Sequence, residues 1–127
     1  MEVKGLEDLE IYQRALELSN LAWEVYRKIP KVFLFHIGNQ FLDAMDSIGA
    51  NIAEGFGRFH YKDSLRFYYY SRGSLFESKH WVYLLRTRAI IDEGTAANLM
   101  NSLNKEGVKL NNFIQTIKVK IPLNENF

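Results

Sequence analysis

The stretch Ser47-Ile48-Gly49-Ala50-Asn51-Ile52-Ala53-Glu54-Gly55-Phe56-Gly57-Arg58 gathers polar side chains at ordered spacing. Ser47, Asn51 and Glu54 stand at i, i+4 and i+7, which places them on one stripe of a helix. Ile48 and Ile52 form the adjoining apolar stripe. A polar line beside a core line predicts a buried hydrogen-bond network. Arg72, Gly73, Ser74 and Glu77 form a matching set further on. Ser71, Ser74 and Ser78 make a row of small residues that lets another helix approach closely. Glu54 or Glu77 is then placed to pair with Arg58 or Arg72. Such a network more often fixes helix register or an interface than performs catalysis, and the structural role is the reading adopted.

Other reactive groups are sparse. His36, His60 and His80 lie too far apart in sequence for a paired metal motif. Bundle di-metal sites need Glu-x-x-His on two helices, and this chain has one such run, Glu77-Ser78-Lys79-His80. Gly55-Phe56-Gly57 is half a phosphate loop, without its third glycine and without a preceding strand. No G-x-S-x-G elbow occurs. Neither a metal nor another cofactor is expected. Arg58, Lys62, Arg66, Arg86 and Arg88, interleaved with Tyr68 to Tyr70, form the candidate surface for gripping phosphates and stacking bases.

The 127 residues allow one domain, 1–127, with a substantial core; 47% are hydrophobic and 14% aromatic. The absence of cysteine excludes a disulfide scaffold, thiolate metal sites and a cysteine nucleophile. The net charge of +1 hides an asymmetry. Residues 1–55 carry 5 basic and 9 acidic side chains, residues 56–90 carry 7 and 2, and residues 91–127 carry 4 and 4. A basic third segment thus faces an acidic first half. No secretory signal or membrane-spanning run is legible, and a cytoplasmic location is expected.

Apolar spacing predicts four helices that position these groups, at about residues 8–29, 36–54, 62–91 and 95–119. On the first, Leu9, Tyr12, Leu16, Trp23 and Tyr26 step along one face, with Ala15, Leu18 and Ala22 beside them. Asp8 is the expected cap, and Pro30 ends the pattern. Ile37, Phe41, Ala44, Met45, Ile48 and Ile52 mark the second, with Gly55 and Gly57 as its C-terminal stop. The third, about 45 Å long, overhangs the second unless Lys31 to Phe35 extends that helix backwards. Gly73 near its middle costs about 1 kcal/mol relative to Ala, which suggests a close neighbour or a kink. Leu99, Leu103, Val108, Leu110, Phe113, Ile114 and Ile117 mark the fourth, with Thr95 as its expected cap. Residues 120–127 are expected to be a loose tail. The fold class is all-α, an antiparallel up-down-up-down four-helix bundle.

The run Ser47 to Arg58, the second motif Arg72 to Glu77 and the opening Leu6-Glu7-Asp8-Leu9-Glu10-Ile11-Tyr12-Gln13-Arg14-Ala15 resemble the four-helix-bundle proteins of the 23S rRNA intervening-sequence, or ribosomal-protein-like, type. Pro30 and Gln40 also fall where that pattern places them. The resemblance spans about residues 6–118. It implies a ring-like homopentamer of antiparallel bundles, and similar retroelement accessory proteins bind nucleic acid. Here Asp43 and Asp46 stand where many members are basic, and Gly49 stands where Pro is common. Those departures weaken any carry-over of nucleic-acid binding. The aromatic excess on long helices, the overhanging third helix and the polarity split between helices point to a non-enzymatic homo-oligomeric scaffold, with self as partner and no small-molecule substrate or membrane. Ser47, Asn51, Glu54, Gly55, Arg58, Arg72, Gly73, Ser74 and Glu77 would set its register or interface. The alternative is an RNA- or DNA-binding accessory protein that uses the basic, aromatic surface around the third helix.

Overall fold

The computed structural model describes residues 5–122. They form four long helices and no strand: α1 (Glu10–Tyr26), α2 (Asn39–Phe56), α3 (Tyr61–Thr87) and α4 (Glu93–Lys118). Each packs on the next, and α4 closes back onto α1, so α1 and α3 stand diagonally across the bundle. The core runs through Phe41, Met45, Ile48, Leu75, Leu99 and Leu103, all essentially inaccessible to water. Each such side chain contributes about 1.5–3 kcal/mol by leaving water. No helix among the described residues is long and apolar enough to cross a membrane.

The ends of the helices differ from the sequence expectations for local reasons. Asp8 does not cap α1; Leu9 holds that position. The Asp8 carboxylate instead accepts from the Gly5 backbone N–H at 3.1 Å, closing a 3-10 turn over Leu6–Asp8. The face of α1 that enters the core is Ile11, Ala15, Leu18, Ala22 and Val25, while Leu16 and Trp23 stay almost half exposed. Small residues select this face. Ala15 lies 3.3 Å from where a Cβ would sit on Gly49 of α2, so the two backbones meet closely there.

Helical chain begins at Lys31 and reaches α2 through one wider turn, Leu34–Gly38. This lead-in matches α2 to the length of α3 and removes the expected overhang. The glycine stop holds at one of its two residues: α2 runs through Gly55 to Phe56 and is capped by Gly57, which keeps a helical φ of -78° rather than a positive one. Gly55 serves packing, because a Cβ there would come 2.6 Å from the Tyr68 ring.

The buried line of α3 is Ser64, Tyr68, Ser71, Leu75, Ser78, Val82 and Leu85. The serines admit close helix approach as expected, and the Ser71 hydroxyl donates to the Ile48 carbonyl at 2.8 Å. The helix ends at Thr87, four residues before the expected boundary, and Ala89 turns the chain in the left-handed region at φ 57°. In α4, Asp92 is the cap rather than Thr95, its carboxylate accepting from the Thr95 N–H at 2.7 Å. Val108 is 61% exposed, whereas Glu106 is buried on the apolar side. Beyond α4, Ile121 is also buried, so the start of the expected loose tail packs on the bundle. Residues 123–127 lie outside the described residues.

Candidate functional site

The two motifs lie side by side along the α2–α3 seam, but they do not form a buried network. The Ser47 hydroxyl donates back to the Asp43 carbonyl at 2.7 Å. The Asn51 amide donates to the Ser47 carbonyl at 3.0 Å and reaches Ser74 Oγ at 3.5 Å. Glu54 pairs with Arg58 at 3.1 Å, their side chains 58% and 39% exposed, and a pair so open to water contributes at most about 1 kcal/mol. Glu77 accepts the indole N–H of Trp81 at 3.0 Å. Arg72 makes no ion pair with any carboxylate among the described residues. A helix whose apolar and polar stripes are adjacent buries only the first. The polar stripe lies at the seam's rim, where backbone carbonyls and Arg58 pair with it.

Gly73 is exposed, and nothing lies within 4 Å of where its Cβ would be. The expected close neighbour is therefore not among the described residues, and α3 continues unbroken through that position. A shallow cleft at the end of α2 is lined by Ala50, Ala53, Glu54, Gly57 and Arg58, with no histidine and without Glu77. His60 packs edge-on to Phe59 and His80 against Trp81. Among the described residues, no three His, Asp or Glu side chains are grouped to hold a metal ion.

The five basic residues separate into two groups. Arg58, Lys62 and Arg66 lie at the α2–α3 turn. Arg86 and Arg88 lie at the far end of α3, about 30 Å away at 1.5 Å per residue from Arg66. Near the turn, the Arg58 and Arg66 guanidinium groups approach the same Phe67 ring, at 4.4 and 4.9 Å from its centroid. Asp63 accepts from Arg66 at 2.8 Å and faces Arg58 at 3.7 Å, so part of the positive charge is already balanced. Lys120, from beyond α4, sits 5.6 Å from the Tyr61 ring at the same end.

Two features escaped the sequence reading. The first is Glu106, 1% exposed, whose two carboxylate oxygens have no hydrogen-bond partner. Burial pushes its carboxyl up to about 8; the nearby Arg14 charge opposes that rise, and Glu10 and Glu17 reinforce it. A lone acid within an apolar spacing pattern was the available signal. The second is the spacing of exposed side chains on the outer faces of α1 and α3. Leu16 and Trp23 stand seven residues apart, as do Tyr69, Phe76 and Tyr83.

The model of the 23S rRNA-intervening sequence protein family matches residues 7–112 of this chain. Among solved structures, one from the S23 ribosomal protein family of Bacteroides thetaiotaomicron, a protein with unknown function, aligns with a TM-score of 0.77. It is 21% identical in sequence, and the alignment covers 82% of this chain and 97% of that one. At that identity the likeness shows the shared fold. No curated protein matches the chain.

Proposed function

Because this chain belongs to the 23S rRNA-intervening sequence protein family, we propose that it is a non-enzymatic, self-assembling helical-bundle protein of the cytoplasm, built as a homopentamer. The observation that carries self-assembly is the apolar surface a single copy leaves in water. Trp23, Phe35, Phe59, Tyr70, Phe76 and Tyr83 each keep close to half or more of their surface exposed. Exposed apolar side chains that gather on one face mark an interaction site, and Phe76 and Tyr83 stand one above the other with Tyr69 along α3. The count of five comes from the family resemblance. The two sequence motifs then act as register elements of the α2–α3 seam, which shapes the outer faces. Sedimentation and light scattering at micromolar concentration test this reading. A discrete oligomer supports it, and a strict monomer overturns it.

The second reading, a nucleic-acid accessory protein, is favoured by the α2–α3 turn. There Arg58, Arg66 and Lys120 surround the Phe67 and Tyr61 rings, and Phe59 is 94% exposed. Cations beside accessible rings suit a single strand, through phosphate contacts and base stacking. Binding of RNA fragments at about 50 mM salt, falling steeply as salt rises, supports it. No retention at that salt removes it.

A further inference from the structure

We propose that copies of this chain assemble by docking the outer face of α3 on one copy against the outer face of α1 on the next. The inference rests on the self-assembly reading above and names its contact. On α3, Tyr69, Phe76 and Tyr83 recur every seven residues, and so do Arg72, Lys79 and Arg86. On α1, Leu16 and Trp23 share that spacing, as do Glu10, Glu17 and Glu24. The rings of α3 and the two apolar residues of α1 are all between 39% and 56% exposed. A seven-residue repeat keeps one stripe facing a partner helix along its whole length, with flanking charges choosing that partner. One stripe is apolar with cations and the other apolar with acids, so they complement each other and neither complements itself.

The stripes also overlap in height and in side. Ala15 of α1 packs at Gly49, and the adjoining Ile48 accepts the Ser71 hydroxyl. Through α2, Ala15 thus stands near the height of Ser71, and through α4 Glu17, beside Ser102 and Lys105, stands within the span of Arg72 and Lys79, which flank Asn104 and Gly107. Both charged rows lean toward α4. Glu10 pairs with Lys109 at 3.3 Å, and Glu17 lines a cleft with Ser102 and Lys105. Arg72 and Lys79 line a cleft with Asn104 and Gly107. A second copy set beside the first by rotation about an axis parallel to the bundle thus brings the acidic row over the span of the basic row. Two different, diagonally opposed faces make a head-to-tail contact, which closes into a ring when successive copies are related by rotation alone.

Gly73 gains a purpose in this arrangement. It lies within the α3 stripe, weakens its own helix and leaves open space at its Cβ position among the described residues. An apolar side chain on α1 of the neighbouring copy would seat on it.

Charge reversal tests the pairing, read by sedimentation with circular dichroism confirming fold. Glu17→Arg and Arg72→Glu are each expected to lose the oligomer at concentrations where the natural chain holds it, and the double variant to recover it. Gly73→Ala is expected to raise helix stability and yet weaken assembly. Because the chain has no cysteine, mixing Glu17→Cys with Arg72→Cys gives a second readout. Oxidation should join one variant to the other. A natural chain that is monomeric overturns both this proposal and self-assembly. The same monomer losing RNA retention through Arg72→Glu moves the α3 row to nucleic acid and overturns the proposal. An oligomer indifferent to both reversals, or cross-linked only between like variants, overturns this pairing and leaves self-assembly standing.

Discussion

The hydroxyl of Ser71 donates to the backbone carbonyl of Ile48 at 2.8 Å, and both residues are inaccessible to water. A serine here is small enough for α2 and α3 to touch and polar enough to link them. Ser71→Leu is expected to destabilise the bundle by about 1–3 kcal/mol through overpacking. Ser71→Ala should cost about 1 kcal/mol, since Ile48 keeps its place in the helix. Urea denaturation of the two variants should therefore rank Leu well below Ala; the reverse order would show that the seam is loose.

Gly55 and Gly73 should respond oppositely to alanine. At Gly55 the new methyl meets the Tyr68 ring at 2.6 Å and the Ser64 carbonyl at 3.0 Å. Gly55→Ala is expected to lower stability by about 1–3 kcal/mol, against its helix propensity. Gly73→Ala, in open space within the chain, should raise the stability of a dissociated copy by about 0.5–1 kcal/mol. Thermal melts at low protein concentration separate the two.

Glu106 should make the bundle sensitive to alkali. Its folded-state value lies near 8, above the ordinary 4.5, so the folded state retains the proton that the unfolded chain gives up. Stability is then fully present below about 4.5 and falls as pH rises toward 8, where the loss levels off. Glu106→Gln keeps the shape and removes the ionisation. Its melting temperature should change less across that window and exceed that of the natural chain at pH 8. Parallel profiles for the two proteins would refute the assignment.

Asp92 should give the opposite trend in acid. Hydrogen bonds from Thr95 lower its pKa below the ordinary value of 3.8. The cap therefore stabilises α4 above that value and releases it as pH falls through the lowered one. Asp92→Ala should lower the melting temperature at pH 7 and match the natural chain in strong acid. A deficit that persists there would mean the side chain acts through something other than its charge.

The order and number of helices were legible because apolar spacing of three and four residues can bury a face only as a helix. The α2 face, Ile37 through Ile52, was legible because its large residues are its core residues. On α1 that signal misled: Leu16 and Trp23 are large but outside, and Ala15 and Ala22 are inside. Which stripe faces inward depends on how closely a partner backbone approaches, and Gly49 of another helix decides that distance. The basic residues show the same limit. Their spacing placed all five on one segment, yet the length of α3 puts Arg86 and Arg88 at the end opposite Arg58. The sequence by itself determined the helical class, the family and the charge division between the first half and the third helix. Tertiary structure decided that α1 and α3 stand diagonally with their seven-residue stripes outward. Helix periodicity is local and written in the chain; relative height and facing arise only when small residues on different helices meet.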